Sequence, residues 1–547
     1  MPTDTDPRRS TAAPARRGEP SGPWLLPKLG DRTLIGLALV GVALALAVFT
    51  GTWWFRESFF LDDYVLCGSH RGIEPIWTEI WALTGIYRPL TYPIVAFRTL
   101  TCDVFVIHKV LGFGLHVLAG VLMYRLVARL KLGVAAAFTA AVVWIFNPLA
   151  LEAAAWAAPV YGYPLVAVLL LAMALELLRD DPRWWLAGLL GLGAAMTNEV
   201  AVGAVAVITL LAVGGAPRRR LGLWLRVMWP TLAYLAAVSL SARIVSFERS
   251  SAFGPDGVAN LVTNIGWLRG SFLPLAPVVG EQWRAFTAGA YGPRELAGLV
   301  ALGAAGFLIA VLGHRRSKQP RVAGRTLVLV AVAGALVVLA LLAPFIAQGI
   351  PYVTPRYAYL PQLGFALLAA LLVHVLGRVV EPRWWLLLSV PLLWALVTAD
   401  GLSRDSEAYS EAFDRDRANA IALASAVSAA NPTRIVLVND PWSFAGDAPL
   451  IGDHIVQPLA VEWAGPGATI VLAGTRLDAP LIIDRGGSAL CARDGAVELQ
   501  STALDAPSEV LVYDVAALSP VGRLELPGGG QLSMGRAGAT HQIPSCS

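Results

Sequence analysis

Asp62 and Asp63 lie about ten residues past the first long apolar run, in Phe59-Phe60-Leu61-Asp62-Asp63-Tyr64. A carboxylate beside an apolar surface can accept the proton of an attacking hydroxyl, the work of a general base. Helix capping would account for one acid of the pair. Adjacent residues of a regular backbone point apart, so one acid is expected to act and the other to be structural. Arg88, in Tyr87-Arg88-Pro89-Leu90, and Arg356, in Thr354-Pro355-Arg356-Tyr357-Ala358-Tyr359-Leu360-Pro361, put guanidinium groups near the ends of other apolar runs, where interfacial anchoring alone would account for an arginine. His108 and His116 are eight positions apart on one apolar run, about 12 Å along a helix, which is too far for both to hold one metal ion. Asn147-Pro148 with Glu152 and Trp156, and Asn198-Glu199, mark two further polar interruptions.

These residues need elements to hold them, and composition names the elements. The chain of 547 residues is 56% hydrophobic and 15% charged, with 18 Trp and a mean hydropathy of +0.61. That balance excludes an ordinary soluble domain and predicts a polytopic α-helical membrane protein. Apolar stretches long enough to cross about 30 Å of hydrocarbon occur near 33–53, 105–127, 133–150, 160–178, 225–246, 293–313, 325–347, 361–379 and 384–400. The run 184–216 is too long for one crossing and is expected to break at Thr197-Asn198-Glu199, which brings the total to about 11 transmembrane helices.

Basic residues set the expected orientation. The N-terminal arm carries Arg8, Arg9, Arg16, Arg17, Lys28 and Arg32. Alternate connections repeat the bias at Arg125/Arg129/Lys131, Arg179/Arg183, Arg218/Arg219/Arg220/Arg226, Arg315/Arg316/Lys318/Arg321/Arg325 and Arg378/Arg383. Those connections are expected on the cytoplasmic side of a plasma (inner) membrane. The net charge of +4 then follows from topology and calls for no nucleic-acid partner. Parity puts Asp62-Asp63, Glu152, Glu199, Arg356 and everything after 401 outside.

Residues 1–27, rich in Pro, Arg, Ser and Ala, read as a disordered cytoplasmic tail, and no cleaved export signal is expected. The transmembrane domain is assigned to 28–401, with an external first loop over 54–104 and an external interfacial or re-entrant segment over 247–292. From 402 to 547 the texture changes to a charged helix and short strand-like runs, 434–438, 469–472 and 509–513, predicting a small extracytoplasmic α/β or β-rich domain. Cys67 and Cys102 fall in the first external region and Cys491 and Cys546 in the tail, so disulfides 67–102 and 491–546 are expected in an oxidising compartment.

In order and spacing, the series Asp62-Asp63, Tyr87-Arg88-Pro89-Leu90, His108…His116, Asn147-Pro148…Glu152…Trp156, Asn198-Glu199 and Arg356-Tyr357-x-Tyr359-Leu360-Pro361 resembles the GT-C membrane glycosyltransferases. It looks closest to the protein O-mannosyltransferases of the transmembrane-and-tetratricopeptide type and their bacterial relatives. The resemblance covers about residues 33–400. The chain departs from the family pattern at Asn147, where His often precedes Pro, at Asn198, where Lys often precedes Glu, and in a tail that is not tetratricopeptide-like. The resemblance implies a GT-C-like fold and an inverting glycosyltransferase, mannosyltransferase-like, that moves a sugar from a polyprenyl-phosphate donor to an extracytoplasmic hydroxyl on protein, lipid or glycan. In that reading Asp62, by its place in the motif, is the base, with Asp63 as the alternative. Arg88, Arg356, Tyr357 and His108 hold the donor phosphate, and Glu152, Glu199, His116 and Tyr359 are further site candidates. No cofactor is required, although a divalent cation could join the carboxylates. The competing readings are a transporter or flippase of lipid-linked sugar, and an inactive binding or scaffold relative.

Overall fold

The structure is a computed structural model that describes residues 31–51, 89–90, 106–147, 150, 162–212, 217–244, 324–347, 359–379 and 387–399, scattered positions from 402 to 429, and strands between 434 and 542. Its helices are α1 (Asp31–Phe49), α2 (Val106–Arg129), α3 (Val134–Ile145), α4 (Pro164–Leu177), α5 (Trp184–Thr197), α6 (Ala201–Ala212), α7 (Pro217–Ile244), α8 (Gly324–Ala347), α9 (Gln362–Val379) and α10 (Ser389–Ala399).

The protein is a helical membrane protein in which apolar side chains occupy both faces of the helices. Leu34, Ala38, Val42 and Ala45 of α1 are buried, while Leu37, Val40 and Leu44 on its other side are about half exposed. The same holds for Trp229 of α7, Val328 and Leu339 of α8 and Leu372 of α9. A soluble helix would turn charge outward at such positions, so this outer belt suits hydrocarbon. Among the described residues three stretches, Arg32–Phe49, Ile107–Arg129 and Leu221–Val238, are long and apolar enough to cross a membrane, and seven apolar helices are shorter. The apolar run 133–150 shows why run length overstates helix length. Gly133 opens the helix at φ 97° and the chain leaves it at Phe146, so α3 has 12 residues and spans about 18 Å. The run 184–216 breaks at 198–200 between α5 and α6, where the sequence predicts it. The segment 293–313 lies outside the described residues.

Helix α3 is the hub: eleven of its twelve residues are buried, and α1, α2 and α9 pack on it. An apolar helix with no polar face belongs inside a bundle. Chain direction is tied down at the ends. α2 terminates in a Schellman turn, Leu132 N–H to Val127 O and Lys131 N–H to Ala128 O, with Lys131 at φ 61° in the position that glycine usually fills. Arg129 Nε donates to Leu178 O at 2.9 Å, setting the C-terminal ends of α2 and α4 side by side. His374 Nδ1 donates to Leu132 O at 2.6 Å, bringing the C-terminal half of α9 to the same end. Arg183 grips Glu176 there with Nε at 2.9 Å and Nη2 at 3.0 Å. Arg125, Arg129, Lys131, Arg179 and Arg183 thus gather at one end of the bundle.

In the tail, five strands form a sheet ordered β4 (Thr469–Leu472), β5 (Leu481–Asp484), β1 (Arg434–Val438), β8 (Val510–Asp514), β9 (Ser519–Val521). β1 pairs parallel with β8 in the register Arg434 with Val510, and antiparallel with β5 in the register Arg434 with Asp484. The run Ile435-Val436-Leu437-Val438 is continuously apolar, as a central strand flanked on both sides tends to be. Among the described residues three hairpins add further strands: β2 (Ser443–Phe444) with β3 (Ala448–Pro449), β6 (Ala489–Arg493) with β7 (Ala496–Gln500), and β10 (Gln531–Met534) with β11 (Ala539–Gln542). β6 (Ala489–Arg493) sets Cys491 opposite Glu498 of β7.

Candidate functional site

His116 and Tyr359 are 243 positions apart in the chain and meet in the bundle. His116 Nδ1 lies 2.7 Å from the Tyr359 hydroxyl, and its Nε2 lies 2.9 Å from Ile145 O. A carbonyl oxygen only accepts, so Nε2 carries a proton and donates to it; in the neutral ring Nδ1 then accepts from the tyrosine hydroxyl. Trp144 Nε1 donates to His116 O at 3.0 Å. The three rings pack together, with Trp144 and Tyr359 centroids 4.9 Å apart and His116 5.7 Å from each. Tyr163, just before α4, adds an edge contact to Tyr359 at 6.5 Å. His116, Trp144 and Tyr359 are fully buried. The chemistry of this knot is positional: both ring nitrogens are committed to neighbours, and the first turn before α9 is fastened to α2 and α3.

Around the knot lie the helix ends opposite the basic end. Phe49 of α1 stacks edge-on against Phe146 at 6.3 Å, and Trp394 of α10 donates to Phe146 O at 3.3 Å. Ser406 Oγ donates to Thr50 O. Asn147, which follows α3, is buried, and its carbonyl accepts from Ala150 N–H at 3.0 Å.

At the α5–α6 break, Asn198 has extended backbone angles, φ −154° and ψ 122°. Its Oδ1 accepts from Val200 N–H at 3.2 Å, and its carbonyl from Ala201 N–H at 3.0 Å. That is the geometry of an N-cap, and it explains an Asn at this position without reference to substrate. Glu199 is half-buried in the turn, its carbonyl accepting from Val202 N–H. Leu90 N–H reaches Met196 O at 3.3 Å, so the Pro89-Leu90 end of the Tyr-Arg-Pro-Leu motif docks on the corner that carries Asn198 and Glu199.

His108 sits two turns above His116, in the first turn of α2, and is buried together with Lys109. Lys109 is not part of the motif series. A lysine in the opening turn of a long apolar helix opposes the helix dipole, and a buried ionisable group in such a helix marks a site; those two facts are the signal that could have found it. Asp62, Asp63, Arg88, Glu152, Arg356 and Tyr357 lie outside the described residues, as do Cys67, Cys102 and Cys546; of Cys491 the backbone alone is described. Among the described residues no three His, Cys, Asp or Glu side chains converge as metal ligands. No protein-family profile, curated protein or solved structure matches the chain.

Proposed function

We propose that the protein is an inverting GT-C-type glycosyltransferase of the cell envelope, moving a sugar from a polyprenyl-phosphate donor to an extracytoplasmic hydroxyl. One observation carries the reading. The described parts of the motif series, Leu90, His108, His116, Asn147, Asn198-Glu199 and Tyr359, belong to segments that converge toward one half of the bundle, while Arg125, Arg129, Lys131, Arg179 and Arg183 gather at the other end. Basic residues favour the cytoplasmic side, so the proposal turns the motif-bearing end outward. Eleven spans and a separate extracytoplasmic domain over 402–547 are part of the same proposal, as are the bridges Cys67–Cys102 and Cys491–Cys546.

In the proposed reaction Asp62, or its neighbour Asp63, takes the proton of the acceptor hydroxyl as that oxygen attacks the anomeric carbon. The bond from that carbon to the donor phosphate oxygen breaks, and polyprenyl phosphate leaves with the electron pair. A single displacement inverts the anomeric centre. Arg88 and Arg356 hold the phosphate, with Tyr357 and His108 donating to it, and stabilise charge where it grows in the transition state. Glu152 and Glu199 are further site candidates. Tyr359, fastened by His116, is a positioning residue.

Purified protein assayed with polyprenyl-phosphate sugars tests this. Relative to wild type, Asp62→Asn or Asp63→Asn is expected to lower turnover by about 10²–10⁴-fold, the contribution of general-base catalysis, and Arg356→Ala is expected to raise the donor KM. Equal turnover in all four proteins would overturn the mechanism.

A further inference from the structure

The bundle holds a cavity of about 260 Å³ between α2, α4, α6, α8 and α9, lined by apolar side chains throughout. Its floor is closed: Met123, Leu170 and Val337 are each less than 5% exposed. Its other end is not, since Leu130 and Leu178 are part exposed and Leu329 is 44% exposed. From Leu170 to Leu178 the cavity extends about 12 Å along α4. The open end is the basic end. Arg129 adjoins the lining residue Leu130 and is bonded through Nε to the carbonyl of Leu178, another lining residue, and no described contact occupies its two Nη groups. Arg125, Lys131, Arg179 and Arg183 stand nearby and are exposed, against Asp180, Asp181 and Glu176, the last already held by Arg183 and Arg179.

We propose that this cavity takes one acyl chain of an anionic phospholipid, whose phosphate seats on Arg129. Depth, apolar lining and the burial gradient suit a chain that enters tail first from the basic end. A guanidinium with free donors at the mouth favours an anionic headgroup over a zwitterionic one. The site lies at the opposite end of the bundle from the proposed transfer site and does not rest on that reading.

Phosphatidylglycerol carrying a diazirine on its acyl chain tests the assignment with the full-length protein in detergent. The label is expected on the segments 123–130 and 170–178. Unlabelled phosphatidylglycerol is expected to compete about fivefold better than phosphatidylcholine, the scale of one basic contact. Glycerol 3-phosphate, which has the headgroup phosphate and no chain, is expected not to compete. Arg129→Gln should remove most of the preference for the anionic lipid, and Ala333→Phe, which fills the cavity, should abolish labelling by either lipid. If Ala333→Phe fails to fold, the wild-type labelling map and Arg129→Gln decide. Label spread over the outer apolar belt, equal competition by the two lipids, or strong competition by glycerol 3-phosphate would each overturn the proposal.

Discussion

At the residue scale, the contact between His116 and Tyr359 sets what the candidate site can tolerate. Tyr359→Phe removes one hydroxyl and leaves His116 bonded to Ile145 O. Its expected cost is about 0.5–1.5 kcal/mol of stability. His116→Phe strands both the Tyr359 hydroxyl and the Ile145 carbonyl in the interior, and about 2–3 kcal/mol is expected. Equilibrium denaturation in detergent, followed by Trp fluorescence, should rank the two variants in that order. If Tyr359→Phe matched wild type, the hydrogen bond would be contributing nothing. Sequence spacing identified His116 and Tyr359 as candidates and kept His108 and His116 from sharing one metal ion. It could not pair His116 with Tyr359, because a separation of 243 positions leaves no local pattern for such a contact.

Helix crossings at the element scale depend on small residues, since lipid supplies no hydrophobic drive between helices and close backbone contact must take its place. α8 and α9 cross at Gly334 and Gly364, where a Cβ on Gly364 would overlap the Gly334 carbonyl oxygen. Gly364→Ala is therefore expected to destabilise the fold by about 1–3 kcal/mol, the range of overpacking in a close-packed interior. Gly36→Ala on α1 has open space around its new methyl and should stay within about 0.5 kcal/mol of wild type. Thermal unfolding of the two variants side by side checks the difference. The break between α5 and α6 was legible from polarity alone, since Thr197-Asn198-Glu199 is the polar interruption in a run too long for one crossing. The length of α3 was not. Hydropathy alone carries the run on to 150, whereas the helix stops at Phe146, just before Asn147-Pro148, a local stop signal that mean hydropathy does not register.

For the whole molecule, the separation of a basic end from an aromatic and polar end predicts which way the chain sits in a membrane. α7 begins at Pro217, the residue that suits a first helical turn, and carries Arg218, Arg219 and Arg220 directly after it. A cysteine introduced at Gly222, an exposed position in that helix, is expected to resist an impermeant thiol reagent in intact cells and to react once the cells are opened. Reaction in intact cells would reverse the orientation and put the motif-bearing end in the cytoplasm.

Membrane class, the helical nature of the described segments between 31 and 399 and the gathering of basic residues at one set of helix ends were determined by the sequence itself, because hydrocarbon solvation and helix length act locally and leave a periodic or compositional trace. Asn198 as a cap was open to the same local logic. The tertiary structure alone decided that His116 serves Tyr359 and Ile145, that Leu90 docks on the Asn198 corner, that Lys109 is buried, and that five helices leave a closed-ended apolar cavity beside Arg129. Each of these depends on which helix packs against which. That choice is made by side-chain shape at the crossings, and no single stretch of the chain contains it.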